Sequence, residues 1–166
     1  MLPDHLAPGL SIIFCGTAAG TASARRGHYY AGPGNRFWQL LHDTGLTPHR
    51  LPPEDDYRMP TFGYGLTDLA KGVAGADKDI PTSAYTPARL HALIAHYKPK
   101  AVAFTSLTAA KIALGQRQAP GPHPNSPYPG LKIWTLPSPS GLARGHFSAA
   151  PWHALAAWHR TESPPT

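Results

Sequence analysis

Three short apolar runs limit what this chain folds into: LSIIFC at 10–15, AVAFTS at 101–106 and LKIWTL at 131–136. Each is too short for a helix of ordinary length and mostly apolar at successive positions, the pattern of a strand buried on both faces. Residues 62–69 supply a weaker fourth. Helical patterns lie between them. In 35–44, Phe37, Trp38 and Leu41 share one side and Gly45 suits the stop. Thr86 followed by Pro87 reads as a cap and first helical position, with Leu90, Leu93, Ile94 and Tyr97 at helical spacing behind. Residues 108–114 form a short helix closed by Gly115, and Trp152, Leu155 and His159 mark one side of a last helix. Strands alternating with helices predict an α/β fold with an open, mostly parallel sheet covered on both faces. The length of 166 residues suits one domain, 1–166, with an ordered core of about 10–160. Residues 1–9 and 161–166, rich in Pro, Gly and polar side chains, read as frayed ends. The Pro-rich stretch 116–130 reads as a surface loop.

In an open parallel sheet the loops at the carboxyl ends of the strands carry the site. Two stand out, 16–34 after the first strand and 137–147 after the last. The first holds glycines, small residues and the pair Tyr29-Tyr30, with no carboxylate, Cys, Lys or Asn between Gly16 and Ala24. Neither G-x-G-x-x-G nor G-x-x-x-x-G-K-[ST] occurs, which disfavours nucleotide binding by those routes. The ten histidines show no H-E-x-x-H and no good two-ligand helix spacing, so no metal site is expected. The single Cys15 excludes an intrachain disulfide and a Cys-ligated cluster, and its apolar run marks it as a buried strand residue. A G-x-S-x-G elbow is absent, because Pro139 precedes Ser140. Net charge is +6 with a pI near 9.7, a balance that favours a polyanionic partner. With no long apolar stretch and no basic-then-apolar start, a cytoplasmic protein away from membranes is expected.

Phe14-Cys15-Gly16-Thr17-Ala18-Ala19-Gly20-Thr21-Ala22-Ser23, then Tyr30 and Pro33-Gly34-Asn35-Arg36-Phe37-Trp38, is similar to F-C-G-I-N-P-G-x-x-S followed by an aromatic and P-x-N-R-F-W. Gly65-Leu66-Thr67-Asp68-Leu69 resembles G-V-T-K-L, and Ser138-Pro139-Ser140-Gly141-Leu142-Ala143-Arg144 resembles N-P-S-G-L-S-R. The matches keep chain order and span nearly the whole chain. Together these segments resemble the motifs of the uracil-DNA glycosylase superfamily, most closely those of its mismatch-specific uracil/thymine branch. The resemblance implies a three-layer α/β/α fold on a four-stranded, mostly parallel sheet, no cofactor, and a monomer acting on uracil-containing DNA, single- or double-stranded.

A base inside a duplex must be flipped out before it is cut from its sugar. The matched positions assign Gly20, Ser23, Tyr30, Asn35 and Ser138 to the base, and Ser140, Gly141, Leu142, Ala143 and Arg144 to the DNA. Leu142 is a candidate apolar wedge or a plain hydrophobic anchor. Tyr30 is a candidate stacking platform or core. Arg144 suits a phosphate. Cleavage puts negative charge on the leaving base, which the backbone amides of Gly16, Thr17 and Ala18 are candidates to stabilise. The family's first motif carries an Asn that positions the attacking water, and here that position is Ala18. Asp68, where the compared pattern has Lys, is the candidate replacement, and His28 is the second. The expected activity is hydrolysis of the N-glycosidic bond to leave an abasic site, without strand cutting. The alternative is a non-catalytic reader of damaged or abasic DNA.

Overall fold

The computed structural model describes residues 2–141 and 147–162. Its sheet is built from β1 (Ile12–Gly16), β2 (Tyr64–Asp68), β3 (Ala101–Phe104), β4 (Gly121–Pro122) and β5 (Lys132–Thr135). Their order is β2-β1-β3-β5-β4, with every pair parallel except β4 against β5. The helices are α1 (Thr21–Arg26), α2 (Phe37–Asp43), α3 (Pro87–Tyr97), α4 (Leu107–Leu114) and α5 (Ala150–Glu162).

Strand alternation divides the core into two layers. Ile12 and Phe14 join Ala101, Ala103 and Trp134 on the face covered by α2 and α5, where Phe37, Trp38, Leu41, Trp152 and Leu155 pack. Ile13 and Cys15 join Val102, Phe104 and Ile133 on the other face, under Leu90 and Ile94 of α3 and the alanines of α4. Neighbouring residues of one strand point to opposite faces, so a run with helices on both sides is apolar throughout. This accounts for the fully buried pattern of β1 and of β3 and for Cys15 as a free, buried thiol.

Several expectations are corrected in detail. The sheet has five strands instead of four. The extra one, β4, is a two-residue antiparallel edge pairing inside the Pro-rich stretch, too short to impose a period on the sequence and on an edge where Pro122 is tolerated. The stretch read as an open loop contains α1, built from small residues and closed by Gly27 in the left-handed conformation. Thr86 precedes α3, but its hydroxyl donates to the Leu69 carbonyl at 3.1 Å and makes no side-chain cap. Ser106, by contrast, caps α4 by accepting from the Ala109 amide at 3.0 Å.

The largest correction concerns the amino terminus. Leu2 is buried, and His5 forms an antiparallel bridge with Leu66, the amide of each donating to the carbonyl of the other at 3.0 and 2.9 Å. Residues 2–6 therefore form a strap along the free edge of β2. Gly65 makes room for it: a Cβ there would lie 2.9 Å from Leu6 Cδ2 and 3.2 Å from the His5 carbonyl. Covering a sheet edge satisfies backbone groups that a bare edge leaves open. At the other end α5 runs on to Glu162.

Candidate active site

Register sets the centre of the site. Gly16 is the last residue of β1 and pairs with Asp68, the last of β2. Thr105 follows β3, its amide donating to the Cys15 carbonyl at 3.0 Å. Three parallel strands thus deliver Gly16, Asp68 and Thr105 side by side at their carboxyl ends, where a parallel sheet places its site. A Cβ on Gly16 would lie 2.7 Å from Asp68 Oδ1, 3.3 Å from Thr105 Oγ1 and 3.4 Å from the Tyr30 hydroxyl. The carboxylate is therefore seated over a bare backbone with two hydroxyls close by.

Tyr30 reaches this cluster from the first loop, its hydroxyl 2.9 Å from Thr105 Oγ1. Its backbone is left-handed, at φ 52°, a conformation that costs a non-glycine residue energy. The flanking residues hold it there. Tyr29 donates its amide to Asp56 Oδ2 at 2.9 Å, the Ala31 amide donates to Ser23 Oγ at 2.9 Å, and Trp38 Nε1 donates to the Tyr29 carbonyl at 3.1 Å. The Tyr30 ring stacks on Phe37 at 3.9 Å between centroids. Ser23 is buried in this clamp.

Asp68 is 5% exposed. Burial pushes its carboxyl up to about 6, with Asp4 adding to the rise and Lys71, Arg89 and the Gly16 amide opposing it. Burial, with Asp68 second, also holds the Tyr30 phenol well above its ordinary range, so it remains a hydrogen-bonding hydroxyl at neutral pH. Asp68 opens onto a pocket of about 140 Å³ lined by Leu2, Ala19, Ala24, Lys71 and Val73 among others. At about 10–15 Å³ for one water, that space is on the scale of a single small ring. From the loop 16–20, Ala19 lines it. The loop carbonyls at Gly16, Thr17 and Ala19 accept from the amides of Leu69, Ala70 and Gly75, and the Thr17 hydroxyl donates to Asp77 at 2.7 Å. Ala18 is half-buried in that loop, and Gly20 is exposed with nothing within 4 Å of an added Cβ.

A second, wider hollow of about 440 Å³ lies beside the first loop, lined by Arg26, Tyr30, Asn35, Trp38, Arg50 and Pro52 among others. Asn35 borders it while its Oδ1 accepts from the Phe37 amide at 3.0 Å, steadying the start of α2. The late loop docks against the same segment. Pro139 accepts from the Arg36 amide at 2.9 Å, and a Cβ on Gly141 would lie 3.2 Å from the Pro33 carbonyl. Ser138 Oγ accepts from the Ser140 amide at 3.2 Å. Leu142, Ala143 and Arg144 lie outside the described residues.

The structure thus gathers Gly16, Asp68 and Tyr30 at one point, while Thr17 and Ala18 follow Gly16 in the chain and are not among the residues that line the Asp68 pocket. His28 is turned elsewhere: its Nδ1 is 3.3 Å from Asp56, a buried carboxylate it shares with His5. Burial opposes the Asp56 charge, but these partners and the Tyr29 amide hold its carboxyl below the ordinary value. Sequence reasoning missed Thr105, Lys71 and Leu2. Thr105 was legible as the residue ending an apolar run at the carboxyl edge, and Lys71 as the cation three residues past Asp68. Leu2 carried no signal of its own.

Known proteins of this architecture place the fold. The chain superposes on the solution NMR structure of "a putative Uracil DNA glycosylase from Methanosarcina acetivorans" with a TM-score of 0.64, covering 96% of each chain at 18% identity. At that identity the likeness is one of fold. The family model of the uracil DNA glycosylase superfamily matches residues 3–162, a span that takes in the strap from Pro3 onward, Gly16, Tyr30, Asp68 and Thr105. The chain belongs to the uracil-DNA glycosylase superfamily.

Proposed function

We propose that this protein hydrolyses the N-glycosidic bond of uracil, and of some other deaminated bases, in DNA, with Asp68 serving the attacking water. The observation that carries the reading is the buried Asp68 carboxylate beside a ring-sized pocket at the carboxyl ends of the strands. A base with its pKa near the working pH is the most effective compromise between protonation state and driving force, and Asp68 sits near 6. In the reaction the water oxygen bonds to the sugar C1′ as the bond from C1′ to the base nitrogen breaks. The water proton passes to Asp68, and the bonding electrons leave with the base. The carboxylate also offsets positive charge on the sugar, and the backbone amides of the loop 16–18 are proposed as donors for the departing base. Ala18 has no side chain that holds water, so the carboxylate assumes that task.

The test is a uracil-containing oligonucleotide incubated with catalytic amounts of protein and then treated with hot alkali. Strand scission only after alkali supports a monofunctional glycosylase. Tight binding of the lesion with no alkali-labile product favours the reader of damaged DNA, the reading that Ala18 on its own suggests.

Gly20 governs base range in this reading. The resemblance implies that strict uracil enzymes carry Tyr there, guarding the C5 side of the base. Gly20 is open and in an ordinary backbone conformation, φ −67°, so a large side chain is accommodated. Gly20→Tyr is expected to cut activity on hypoxanthine or C5-substituted uracil about tenfold or more while sparing uracil. A wild-type protein that cuts only uracil across a lesion panel contradicts this.

Leu142 is assigned the gap left by the flipped nucleotide. Unstacking costs a few kcal/mol in a duplex and little in a single strand. Leu142→Ala is expected to lose about tenfold or more on duplex substrate relative to single-stranded substrate. Equal losses on both would make Leu142 a supporting residue only.

A further inference from the structure

Lys71 is the cation of the pocket, and nothing in the sequence motifs accounts for it. It lies three residues beyond Asp68 and lines the same cavity. Its ammonium donates to Asp4 Oδ1 at 2.9 Å, the Leu2 carbonyl at 3.1 Å and the Tyr29 hydroxyl at 2.7 Å. An ammonium has three protons, and these three acceptors take one each. That arrangement fixes the ammonium in place as a point charge. Two of its three acceptors come from the amino-terminal strap. The strap is itself fastened at several points: His5 to Leu66, the Asp4 carboxylate to Thr67 and Arg89, and the Pro3 carbonyl to the Tyr29 hydroxyl.

We propose that Lys71, moored by the strap, is a positioning residue that acts through the Asp68 carboxylate. The inference rests on the reading of Asp68 as the group that serves the water. The charged and titratable groups around Lys71 are Asp4 on the strap, Tyr29 on the first loop, Asp68 at the end of β2 and Arg89 on α3, with His5 behind Tyr29. Burial works against the Asp68 charge, and Lys71 is the largest of the influences that restore it. Asp4 is held ionised: burial opposes its charge, and Arg89, Thr67 and Lys71 outweigh that cost. Without Lys71, Asp4 keeps Arg89 and Thr67, but the cavity loses its own cation and the Asp68 carboxylate takes up a proton more readily.

The experiment follows the Asp68 carboxyl by carbon NMR across pH in the full chain, alongside single-turnover excision of uracil. Lys71→Met is expected to raise the carboxyl midpoint by about 1 pH unit. The acid limb of the rate moves with it, a loss of about tenfold at any pH on that limb, while the alkaline plateau stays close to wild type. Lys71→Arg restores both, because the charge returns. Lys71→Gln keeps a hydrogen-bond donor toward the strap and loses the charge, so it reports the same shift if the Met variant folds poorly. A carboxyl midpoint that stays in place in the uncharged variants overturns the inference. A midpoint that moves in a protein with no uracil excision supports the coupling of Lys71 to Asp68 and overturns the glycosylase reading instead.

Discussion

Replacing Asp68 with Asn is expected to lower the single-turnover rate of uracil excision by about 10²–10⁴-fold and, in the same variant, to make the protein more stable at neutral pH. The two effects share one cause. The carboxyl sits at about 6 against an ordinary value of 3.8 because it is buried. The folded state therefore binds this proton more tightly than the unfolded state. The stability that the group contributes is fully present below about pH 4 and is lost as pH rises through 6. At neutral pH the ionised group costs the fold on the order of 3 kcal/mol, each pH unit of displacement being worth about 1.4 kcal/mol. Asn removes that cost, and a rise in melting temperature of about 5–10 °C at pH 7.5 is expected for a domain of this size, shrinking to nothing near pH 4. In the wild type the rate climbs with pH through about 6 as the carboxylate ionises. A purely structural Asp68 would give the opposite pair of results, lower stability in Asp68→Asn and an unchanged rate for each folded molecule. In that event the water belongs to another group, and the backbone of the first loop is the remaining candidate.

What the sequence made legible follows from period and from chemistry in different measure. The runs of β1, β3 and β5 announced themselves because burial on both faces forces apolar residues at consecutive positions. Asp68 was legible because a carboxylate directly after such a run has one destination in a parallel sheet, its carboxyl edge. The strap was not legible. Leu2, Asp4 and His5 follow no period, and their order comes from partners more than 60 residues away: Thr67, Lys71 and Arg89. A terminus with Pro and polar residues has the composition of a frayed end, and only tertiary contacts reverse that. The same holds for His28. Its place beside two tyrosines suggested a catalytic imidazole, but the Asp56 carboxylate that turns it away sits in the 3-10 helix Pro53–Phe62, a segment with no sequence link to it. Tyr30 shows both sides at once. Its ring packs on Phe37 as a core residue would, while its hydroxyl ends among Gly16, Asp68 and Thr105.

Gly16→Ala is expected to cost about 10²-fold in rate, although the change adds a single methyl group. From sequence, Gly16 was a candidate backbone donor toward the leaving base. The structure gives it a different reason: its missing Cβ is the space that Asp68 Oδ1 occupies, 2.7 Å from where that carbon would be. Contacts that short do not persist, so a group must move. The Gly16 backbone is held in register against β2, directly after the last pairing of β1 with β3 at Cys15, and Thr105 and Tyr30 hold one another at 2.9 Å. The carboxylate is the part least constrained by partners, so it is displaced. A shift of about 1 Å in a reacting group costs on the order of 10²-fold, and overpacking of this kind destabilises by about 1–3 kcal/mol. Gly20→Ala is the control, since Gly20 is exposed and an added Cβ meets nothing. It should leave rate and stability nearly unchanged, whereas a requirement for bare backbone throughout the loop would impair both variants alike. The decisive measurement is the double variant. If Gly16→Ala acts by moving the carboxylate, adding it to Asp68→Asn should lower the rate little further, because the group it displaces no longer acts as a base. Two losses that multiply in full would show that Gly16 serves the reaction through its own backbone, and that its contact with Asp68 is only packing.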